Sequence, residues 1–422
     1  MAVIGIDLGT TNSLGAVYKD GEVILIPNRF GSFLTPSVVS MTEDGTIVTG
    51  EIAKERLVTH PEATVASFKK DMGTERKINL NGRTFLPEEL SSFIIRAILE
   101  DAREYLKEDI EEAVISVPAY FHDRQRVAVK QAGALAGVSV QRIINEPSAA
   151  AMASYFERNE EQIFLVFDFG GGTLDVSIVD CFDTLVEIVS VSGDNRLGGD
   201  NFHQVMADSF IREHGICKES LTAKDHALLL RQAEKCKRRL SKAEEAEMSL
   251  TIGGISFDSI YTNDRLTDES GSILSRMKNV LSRALSDRDM TIQDIDAVIL
   301  AGGSSRMPLV QEYLRHLFGQ VPFVVGNCDE LIARGLGLVC AVKAREEEVK
   351  DFILTDICPF TLGTGTYNKA DPAHSYMTPI IERNTVLPCS RVQRFYTAAD
   401  YQKEICISIL QGEHTILTGF LL

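Results

Sequence analysis

The sequence predicts an α/β protein followed by a smaller β module, and two observations support this prediction. From residue 1 to about 342, short apolar segments alternate with amphipathic helical patterns such as PEELSSFIIRAILEDAREYL and DRQRVAVKQAGALAG. Such alternation is typical of helices that cover a sheet. From 361 to 422 the pattern changes to strands and turns. There, Ile405, Ile407 and Ile409 alternate with more polar residues, which predicts a half-buried strand.

A charged segment and an apolar segment separate these two regions. KAREEEVKD, residues 343–351, predicts the helical end of the α/β region, and FILTDICPF, residues 352–360, predicts a linker. A chain of 422 residues agrees with two or three domains.

Composition excludes several classes of function. The net charge of −17 disfavours a nucleic-acid partner or an acidic membrane surface. No segment approaches the roughly 20 apolar residues of a membrane helix. Because the chain starts directly with a strand pattern, we expect no signal peptide. The eight cysteines are scattered without CxxC spacing. They predict buried, reduced thiols in a cytoplasmic protein rather than a metal site made of cysteines.

The segment DFGGGTLD, residues 168–175, predicts an anion-binding turn between two strands. The apolar residues 163–167 and 176–179 flank it, and three adjacent glycines leave the backbone N–H groups of the turn unshielded. Asp168 and Asp175 would repel a bare phosphate. Their presence is explained if a divalent cation lies between them and the phosphates. Taken alone, the segment could equally be an ordinary glycine-rich hairpin.

Two further turns repeat this pattern. In VIGIDLGTTNS, residues 3–13, a strand leads through Asp7 into a turn of Gly and Thr. In AVILAGGSSRMP, residues 297–308, a strand leads into two glycines and two serines, and Pro308 suits the first turn of a helix. The first two turns, about 160 residues apart, predict a duplicated half-domain around one nucleotide. Because these turns match neither GxGxxG nor GxxxxGK[ST], a dinucleotide fold and a P-loop are both disfavoured.

Seven segments together resemble the motifs of the seventy-kilodalton heat-shock chaperones of the DnaK type. They are IGIDLGTTNS, VISVPAYF, IINEPSAAAMA, LVFDFGGGTLDVS, GDNRLGGDNF, KCKRRLS and VILAGGSSRMPLV, and they span roughly residues 3 to 340. LTDICPF and PIIERNTVLP are most similar to the bacterial HscC branch. The resemblance implies a duplicated actin-like (ribonuclease-H-like) ATPase domain in two lobes over 1–351. An interdomain linker over 352–360 and a partial β-sandwich that binds peptide over 361–422 would follow.

The resemblance implies ATP/ADP and Mg²⁺ as cofactors, with K⁺ as a further candidate. Residues expected at the metal are Asp7, Asp168 and Asp175, with contacts through water. Expected catalytic residues are Lys69 on the γ-phosphate, Glu146 on the attacking water, Asp168 and Thr173. Nucleotide-binding residues are expected to be Thr10, Thr11, Asn12, Gly170, Gly171, Gly172, Gly198, Gly199, Glu234, Lys237, Arg238, Ser241, Gly302, Gly303, Ser304, Arg306 and Asp329. Lys70 stands where many family members carry arginine.

Several of these residues have a simpler structural explanation. Lys69 alone would be read as a solvated surface charge, and Glu146 as a carboxylate that stabilises a helix N-terminus. The residues Glu234, Lys237, Arg238 and Ser241 share one helical face, which is typical of a solvated surface.

The resemblance also implies partners. Unfolded or extended polypeptides would bind a pocket lined by Phe395, Ala398, Ile405 and Ile407, and Leu354 and Ile357 would form the docking part of the linker. A J-domain co-chaperone and a nucleotide exchange factor are expected, with no nucleic acid and no membrane. Further strands and a helical lid are expected after residue 422. Two alternatives remain open: a small-molecule kinase, and an actin-like filament or nucleotide-gated scaffold.

Overall fold

The computed structural model describes residues 2–158, 161–319, 327–346, 349, 351–367, 374–397, 400–405 and 407–417. Within these ranges the α-helices are Gly50–Thr59 (α1), Pro87–Leu106 (α2), Asp123–Ala136 (α3), Glu146–Arg158 (α4), Gly199–Glu213 (α5), Ala223–Leu240 (α6), Asn263–Glu269 (α7), Gly271–Ser286 (α8), Pro308–Phe318 (α9) and Leu331–Ala344 (α10). The two helical patterns quoted above correspond to α2 and α3.

The strands of the described residues follow in chain order. They are Ala2–Asp7 (β1), Asn12–Lys19 (β2), Glu22–Ile26 (β3), Thr35–Pro36 (β4), Val38–Met41 (β5), Ile47–Thr49 (β6), Thr64–Ala66 (β7), Ile78–Leu80 (β8), Arg83–Phe85 (β9), Ile110–Val117 (β10), Ser139–Asn145 (β11), Gln162–Phe169 (β12), Leu174–Phe182 (β13), Leu185–Asp194 (β14), Glu245–Ile252 (β15), Ile255–Thr262 (β16), Ala297–Ala301 (β17), Ile353–Ile357 (β18), Leu362–Tyr367 (β19), Ser375–Ile381 (β20), Val386–Leu387 (β21), Ile409–Gln411 (β22) and Ile416–Leu417 (β23).

Two mixed sheets are built with the same order of pairing. In the first, β1 pairs antiparallel with β2, β2 antiparallel with β3, and β1 parallel with β10. In the second, β12 pairs antiparallel with β13, β13 antiparallel with β14, and β12 parallel with β17. In the first sheet, the hairpin turn after β1 lies at the end of the sheet where the parallel strand β10 also ends. In the second sheet, the hairpin turn after β12 lies at the end where the parallel strand β17 ends.

The helices α4 and α10 pack between the two sheets. Apolar residues of both helices lie in one buried cluster with side chains from β10, β12 and β17. Gly335 of α10 approaches the backbone of Ala149 in α4 so closely that a Cβ atom there would overlap it. This packing fixes the separation of the two sheets, and hence of the two hairpin turns.

The predicted charged helical end, residues 343–351, is wrong in extent, because only Lys343 and Ala344 of its described residues are helical. Helix α10 stops at Ala344, and Arg345 takes a left-handed conformation with φ of +59°. Beyond the helix, Val349 is buried in the same cluster as α10, but it lies in a turn and not in a continuation of the helix. Residues 347, 348 and 350 lie outside the described residues.

The predicted linker forms strand β18 within the second sheet. Leu354 pairs with Val186 of β14, and Ile357 pairs with Val386 of β21. Ile357 is 1% exposed, Leu354 packs against the α4–α10 cluster, and Ile353 is 58% exposed. Leu354 and Ile357 therefore pack against the α/β region, whereas Ile353 is open to solvent.

The β module contains the four-stranded sheet β22-β19-β20-β23. The predicted strand through Ile405, Ile407 and Ile409 is wrong in extent, because only Ile409–Gln411 is a strand. Ile405 and Ile407 lie in irregular backbone and are 63% and 72% exposed. Alternation of apolar residues did not suffice to form the full strand, because β22 pairs with its neighbour β19 at only three residues.

Two predictions from composition are tested by the described residues. Among the seven described cysteines, five are buried as expected, but Cys217 is exposed and Cys389 is half-buried, and none forms a disulfide. In the described part of the chain, no helix combines the length and the apolar character needed to cross a membrane.

Candidate functional site

A cavity of about 1000 Å³ opens where the hairpin turns of the two sheets face each other. Most of the expected nucleotide and catalytic residues line it: Asp7, Thr10, Thr11, Asn12, Lys69, Glu146, Asp168, Gly170, Gly171, Thr173, Glu234, Lys237, Arg238, Ser241, Gly302, Gly303, Ser304, Arg306 and Asp329. Residues distant in sequence are thus gathered at one site.

The two glycine turns are held against each other by close contacts. The N–H of Gly170 donates to the carbonyl of Thr173 at 3.1 Å, which closes the β12–β13 hairpin. A Cβ atom at Gly171 would overlap Oγ1 of Thr11 in the opposite turn. That hydroxyl oxygen is buried without a hydrogen-bond partner among the described residues. The glycine thus lets the two turns approach closely, and their bare backbone fits the binding of a phosphate in the adjoining cavity.

The N-terminus of α5 supports the second turn from behind. The N–H groups of Gly199 and Asp200 donate to the carbonyls of Gly170 and Gly171 at 3.0 and 2.8 Å. Gly198 packs so closely on the turn that a Cβ atom would meet its backbone. Gly198 and Gly199, like Gly172, are not part of the cavity wall. Gly198 and Gly199 contact the turn from outside the cavity, and Gly172 is part of the turn itself.

Lys69 and Glu146 form a buried ion pair in the wall. The Nζ atom of Lys69 lies 2.7 Å from Oε1 of Glu146, and the side chains are 4% and 7% exposed. Lys69 belongs to a short 3₁₀ helix, Phe68–Asp71. Glu146 begins α4 directly after β11, with Pro147 as the second helical residue. The surface-charge interpretation of Lys69 is therefore wrong, whereas Glu146 does lie at a helix N-terminus.

Three buried aspartates lie close to this pair. Burial raises the pKa of Asp7 from 3.8 to about 7, and the Glu146 charge adds to this effect. Burial, followed by the Glu146 charge, raises the pKa of Asp175 to about 7 as well. Burial and the charges of Glu146, Asp175 and Asp7 raise the pKa of Asp168 well above its usual range. The site therefore carries an excess of buried negative charge.

A divalent cation fits this excess. The carboxylate of Asp175 is buried, and contact with the backbone of Tyr120 and the charges of Lys69 and Arg126 only partly offset the rise in its pKa. Asp175 pairs directly with Asp168 across the hairpin, although it is not part of the cavity wall. Within the described ranges, no three His, Cys, Asp or Glu side chains converge as direct metal ligands. Contact of Asp7 and Asp168 with Mg²⁺ through water, as expected above, is compatible with this spacing.

Helix α6 forms another part of the wall. Ala233, Cys236 and Leu240 are buried as the sequence predicts. On the neighbouring face, burial lowers the pKa of Lys237 to about 8. Its Nζ donates to the carbonyl of Gly199 at 3.3 Å. Arg238 is 70% exposed and lies 3.9 Å from Glu234, so its guanidinium is open to a planar ligand.

The opposite wall is formed after β17. Gly302 takes a φ of +76°, and a Cβ atom there would meet the backbone of Phe169 and Oδ1 of Asp168. Arg306 lies 2.9 Å from Asp329. The β17 turn thus packs directly on the first residues of the β12–β13 hairpin.

Sequence reasoning missed further residues of the wall, among them Asp200 and His203. Oδ2 of Asp200 lies 2.9 Å from Nζ of Lys70, which links α5 to the 3₁₀ helix of Lys69. Asp200 belongs to the quoted segment GDNRLGGDNF, so its neighbourhood was recognised but its partner was not. A lysine and an aspartate 130 residues apart give no periodic signal.

The residues expected to bind peptide are not brought together in this way. Phe395 is 41% exposed and lies in irregular backbone, as do the exposed Ile405 and Ile407. Ala398 lies outside the described residues. The linker residues Leu354 and Ile357 are packed as described above.

The chain is similar to a known protein family. The family model described as Hsp70 protein matches residues 3–419, which is nearly the whole chain. The match covers the cavity, strand β18 and most of the β module.

Proposed function

The chain belongs to the Hsp70 family, whose members are ATP-dependent chaperones, and we propose that its ATPase cycle gates the binding of extended apolar peptide segments. An α/β ATPase fold and the binding of ATP or ADP with Mg²⁺ follow from the family. The observation that carries the proposal is a chain of contacts from the cavity to the linker.

This chain of contacts starts at Glu146. The preceding residue, Asn145, donates through Nδ2 to Oδ2 of Asp356 in strand β18. Arg126 donates to Oδ1 of Asn145 at 2.7 Å. The backbone that positions Glu146 therefore also positions the side chain that contacts the linker. A nucleotide can change the packing of the linker only if it binds the two arrangements with different affinity.

Hydrolysis would depend mainly on position and charge, as in phosphoryl transfer generally. Lys69 would neutralise the γ-phosphate and Glu146 would orient the attacking water. The turns at Thr10–Asn12 and Gly170–Thr173 would hold the phosphates. Asp7 and Asp168, with Asp175 behind them, would hold Mg²⁺, which supplies positive charge to the phosphates. Adenosine would lie between α6 and the β17 turn.

The arrangement of domains is part of the proposal. The equal pairing order of the two sheets supports a duplicated actin-like domain in two lobes over residues 1–351. Residues 352–360 would be the linker. The sheet of β19, β20, β22 and β23 would belong to a partial peptide-binding β-sandwich over 361–422. The segments LTDICPF and PIIERNTVLP support membership of the HscC branch. The scattered cysteines support a location in the cytoplasm.

The contacts of the linker favour the chaperone over the two alternatives. A small-molecule kinase needs an acceptor pocket and an actin-like scaffold needs a polymer contact, and neither needs a packed linker strand. The expected partners are extended polypeptides, a J-domain protein and a nucleotide exchange factor. K⁺ remains a candidate second cation.

The rate of ATP hydrolysis tests the proposed function. We expect slow basal hydrolysis that increases when an apolar extended peptide and a J-domain protein are added together. Phosphoryl transfer to an added small molecule, with no response to peptide, would indicate a kinase. Light scattering that rises on ATP addition would indicate a filament.

A further inference from the structure

The short helix that carries Lys69 is fixed to the core of the first sheet. In the 3₁₀ helix Phe68–Asp71, Phe68 is 2% exposed, and Met72, which follows the helix, is fully buried. Both belong to an apolar cluster with side chains of β1, β10 and α2. The position of Lys69 is therefore set by the packing of the first sheet.

Helix α5 belongs to the core of the second sheet. Its residues Phe202 and Met206 are buried in a different cluster, together with Phe169 of β12. At the N-terminus of the helix, the N–H of Asp200 donates to the carbonyl of Gly171 at 2.8 Å. Asp200 is therefore fixed to the glycine turn of the second sheet, where a phosphate is proposed to bind.

The side chain of Asp200 joins these two cores. Its Oδ2 atom lies 2.9 Å from Nζ of Lys70 and accepts a hydrogen bond from the hydroxyl of Ser67 at 3.4 Å. Its Oδ1 atom lies 3.6 Å from Nδ1 of His203. The stem of Lys70 lies against the glycine turn, because a Cβ atom at Gly172 would be 2.0 Å from Cε of Lys70.

The contacts of Asp200 lie on both sides of Lys69 in the chain. Ser67 and Lys70 flank the segment that contains Lys69. Ser67 has a φ of +57°, which is uncommon for residues other than glycine. Such a conformation persists where the surrounding structure holds it. Asp200 thus holds the entry and the middle of this short helix from across the cavity.

The distance between Lys69 and the second glycine turn matters for the proposed reaction. Phosphoryl transfer depends mainly on the position of the charged groups. Lys69 is fixed to one core and the turn to the other, so contacts that join the cores set this distance. The side chains of Lys70 and Asp200 are 25% and 36% exposed. An ion pair with this exposure adds little stability, but it can still fix a position.

We propose that Lys70 and Asp200 form a clamp that holds Lys69 at the distance from the γ-phosphate that hydrolysis requires. This inference rests on the proposed ATP hydrolysis and adds two positioning residues to it. Asp200 lines the cavity, whereas Lys70 is not among the residues of the cavity wall. Lys70 therefore acts through Lys69 and not through a nucleotide contact of its own.

The test measures the rate of hydrolysis and the affinity for nucleotide separately. Lys70→Met removes the charge and keeps an unbranched side chain. Single-turnover hydrolysis of Mg²⁺–ATP should slow by about 10- to 100-fold, because a displacement of about 1 Å can have an effect of this size. The dissociation constant of Mg²⁺–ATP should change little, because Lys70 is not part of the cavity wall.

Further variants show whether the two residues act as a pair. Asp200→Asn should slow hydrolysis by a similar factor. The double variant should be no slower than the slower single variant, since either substitution already breaks the ion pair. Lys70→Arg retains the charge, so it should recover most of the rate.

Asp208 and Lys218 provide the matched control. They form an ion pair of the same residue types at the same distance of 2.9 Å. Asp208 lies on α5 as Asp200 does, but neither residue of this pair lines the cavity. Lys218→Met should therefore leave hydrolysis and affinity unchanged. All variants should be compared at a temperature where thermal denaturation shows that they are folded.

Three results would overturn the clamp. The original rate in Lys70→Met would overturn it and leave the proposed function intact. Weaker ATP binding in Asp200→Asn, with no slower hydrolysis in Lys70→Met, would assign Asp200 to the nucleotide and not to Lys69. If the unmutated chain did not hydrolyse ATP, both the proposed function and the clamp would be wrong.

Discussion

Lys69 and Glu146 lie 2.7 Å apart in the wall of the cavity, and water has almost no access to either side chain. Lys19 and Glu108 lie at the same distance on the surface, with side chains 42% and 44% exposed. A surface pair contributes little to stability, about 0.2–1 kcal/mol. Removing one partner of a buried pair leaves an uncompensated charge and costs about 3–5 kcal/mol. Because both charges must also lose their contact with water when the pair is buried, the intact pair adds little net stability. Its presence in the cavity wall therefore favours a role in function.

Lys69→Ala should abolish most ATP turnover while nucleotide binding changes little. A contact that strengthens only in the transition state is lost from the rate and not from the affinity. Loss of one such electrostatic contact reduces the rate by about 100-fold or more. Single-turnover hydrolysis and equilibrium binding of Mg²⁺–ATP measure the two quantities separately.

The surface pair provides the control for Lys69. Lys19→Ala should leave hydrolysis unchanged and the free energy of unfolding nearly unchanged. Because Lys69→Ala also destabilises the fold, Lys69→Met should be measured beside it at a temperature where both are folded. Hydrolysis by both Lys69 variants near the original rate would remove Lys69 from the catalytic site.

Gly171→Ala should weaken ATP binding because the added methyl group would collide with Thr11 in the facing turn. The turns must then move apart, and the backbone N–H groups no longer converge on a phosphate. The expected loss in affinity is at least about tenfold, which corresponds to roughly 1.4 kcal/mol. Gly271→Ala is the control, since no atom lies within 4 Å of the added carbon. Equal ATP affinity of the two variants would contradict this role of the turn.

Mg²⁺ should stabilise the ADP-bound chain more at pH 8 than at pH 6. The pKa values of Asp7 and Asp175 are raised to about 7, so the metal must displace protons at pH 6. In the metal-free chain these raised pKa values have the opposite effect. The folded state then holds protons that the unfolded state has released, so these groups reduce stability as the pH rises from about 4 to 7. Thermal denaturation with ADP, with Mg²⁺ or with a chelator, measures both trends.

A variant of Asp101 distinguishes the effect of metal binding on stability from the effect of burying a carboxylate. Burial raises the pKa of Asp101 too, but this residue is not part of the cavity wall. Asp101→Asn should change the pH dependence of stability and leave the Mg²⁺ effect intact. Asp7→Asn should reduce the Mg²⁺ effect, with partial recovery at high Mg²⁺. A Mg²⁺ effect independent of pH would show that the aspartates do not face the metal.

The cavity could be predicted from the sequence because each of its turns is a local pattern. A strand followed by glycine and a small hydroxyl residue is visible at Asp7, at Asp168 and after Leu300. The helical face with Lys237 is visible from its period. Contacts between distant segments gave no such signal. The ion pair of Lys70 with Asp200 and the position of His203 depend on how α5 packs against the turns, which no local pattern specifies.

The β module shows the limit of periodicity. Alternation at Ile405 and Ile407 is a condition for a half-buried strand, but a strand also needs a neighbour to pair with. Likewise, the charged segment after Ala344 has a helical composition, yet Arg345 takes a left-handed conformation that ends the helix, and Val349 packs against the core from a turn. In both places the local preference for a strand or a helix was recognised correctly, but contacts with distant residues determined the structure.

The packed residues of β18 should be needed for communication between cavity and linker. Ile357→Asp and Leu354→Asp place a charge against the α/β region, so they should abolish nucleotide-dependent protection of the linker from protease. ATP binding should remain nearly unchanged. Ile353→Asp is the matched control because this neighbour on the same strand is exposed. Loss of protection in all three variants would assign the effect to charge alone and not to packing.

Limited proteolysis of residues 352–357 in the unmutated chain tests the coupling most directly. The rate of cleavage should be measured in the presence of Mg²⁺–ATP and of Mg²⁺–ADP, at concentrations that saturate both. If occupation of the cavity by ATP favours the packed arrangement of β18, cleavage should be several-fold slower in ATP than in ADP. Equal rates of cleavage in the two nucleotides would contradict the coupling, and with it the proposal that the ATPase cycle gates peptide binding.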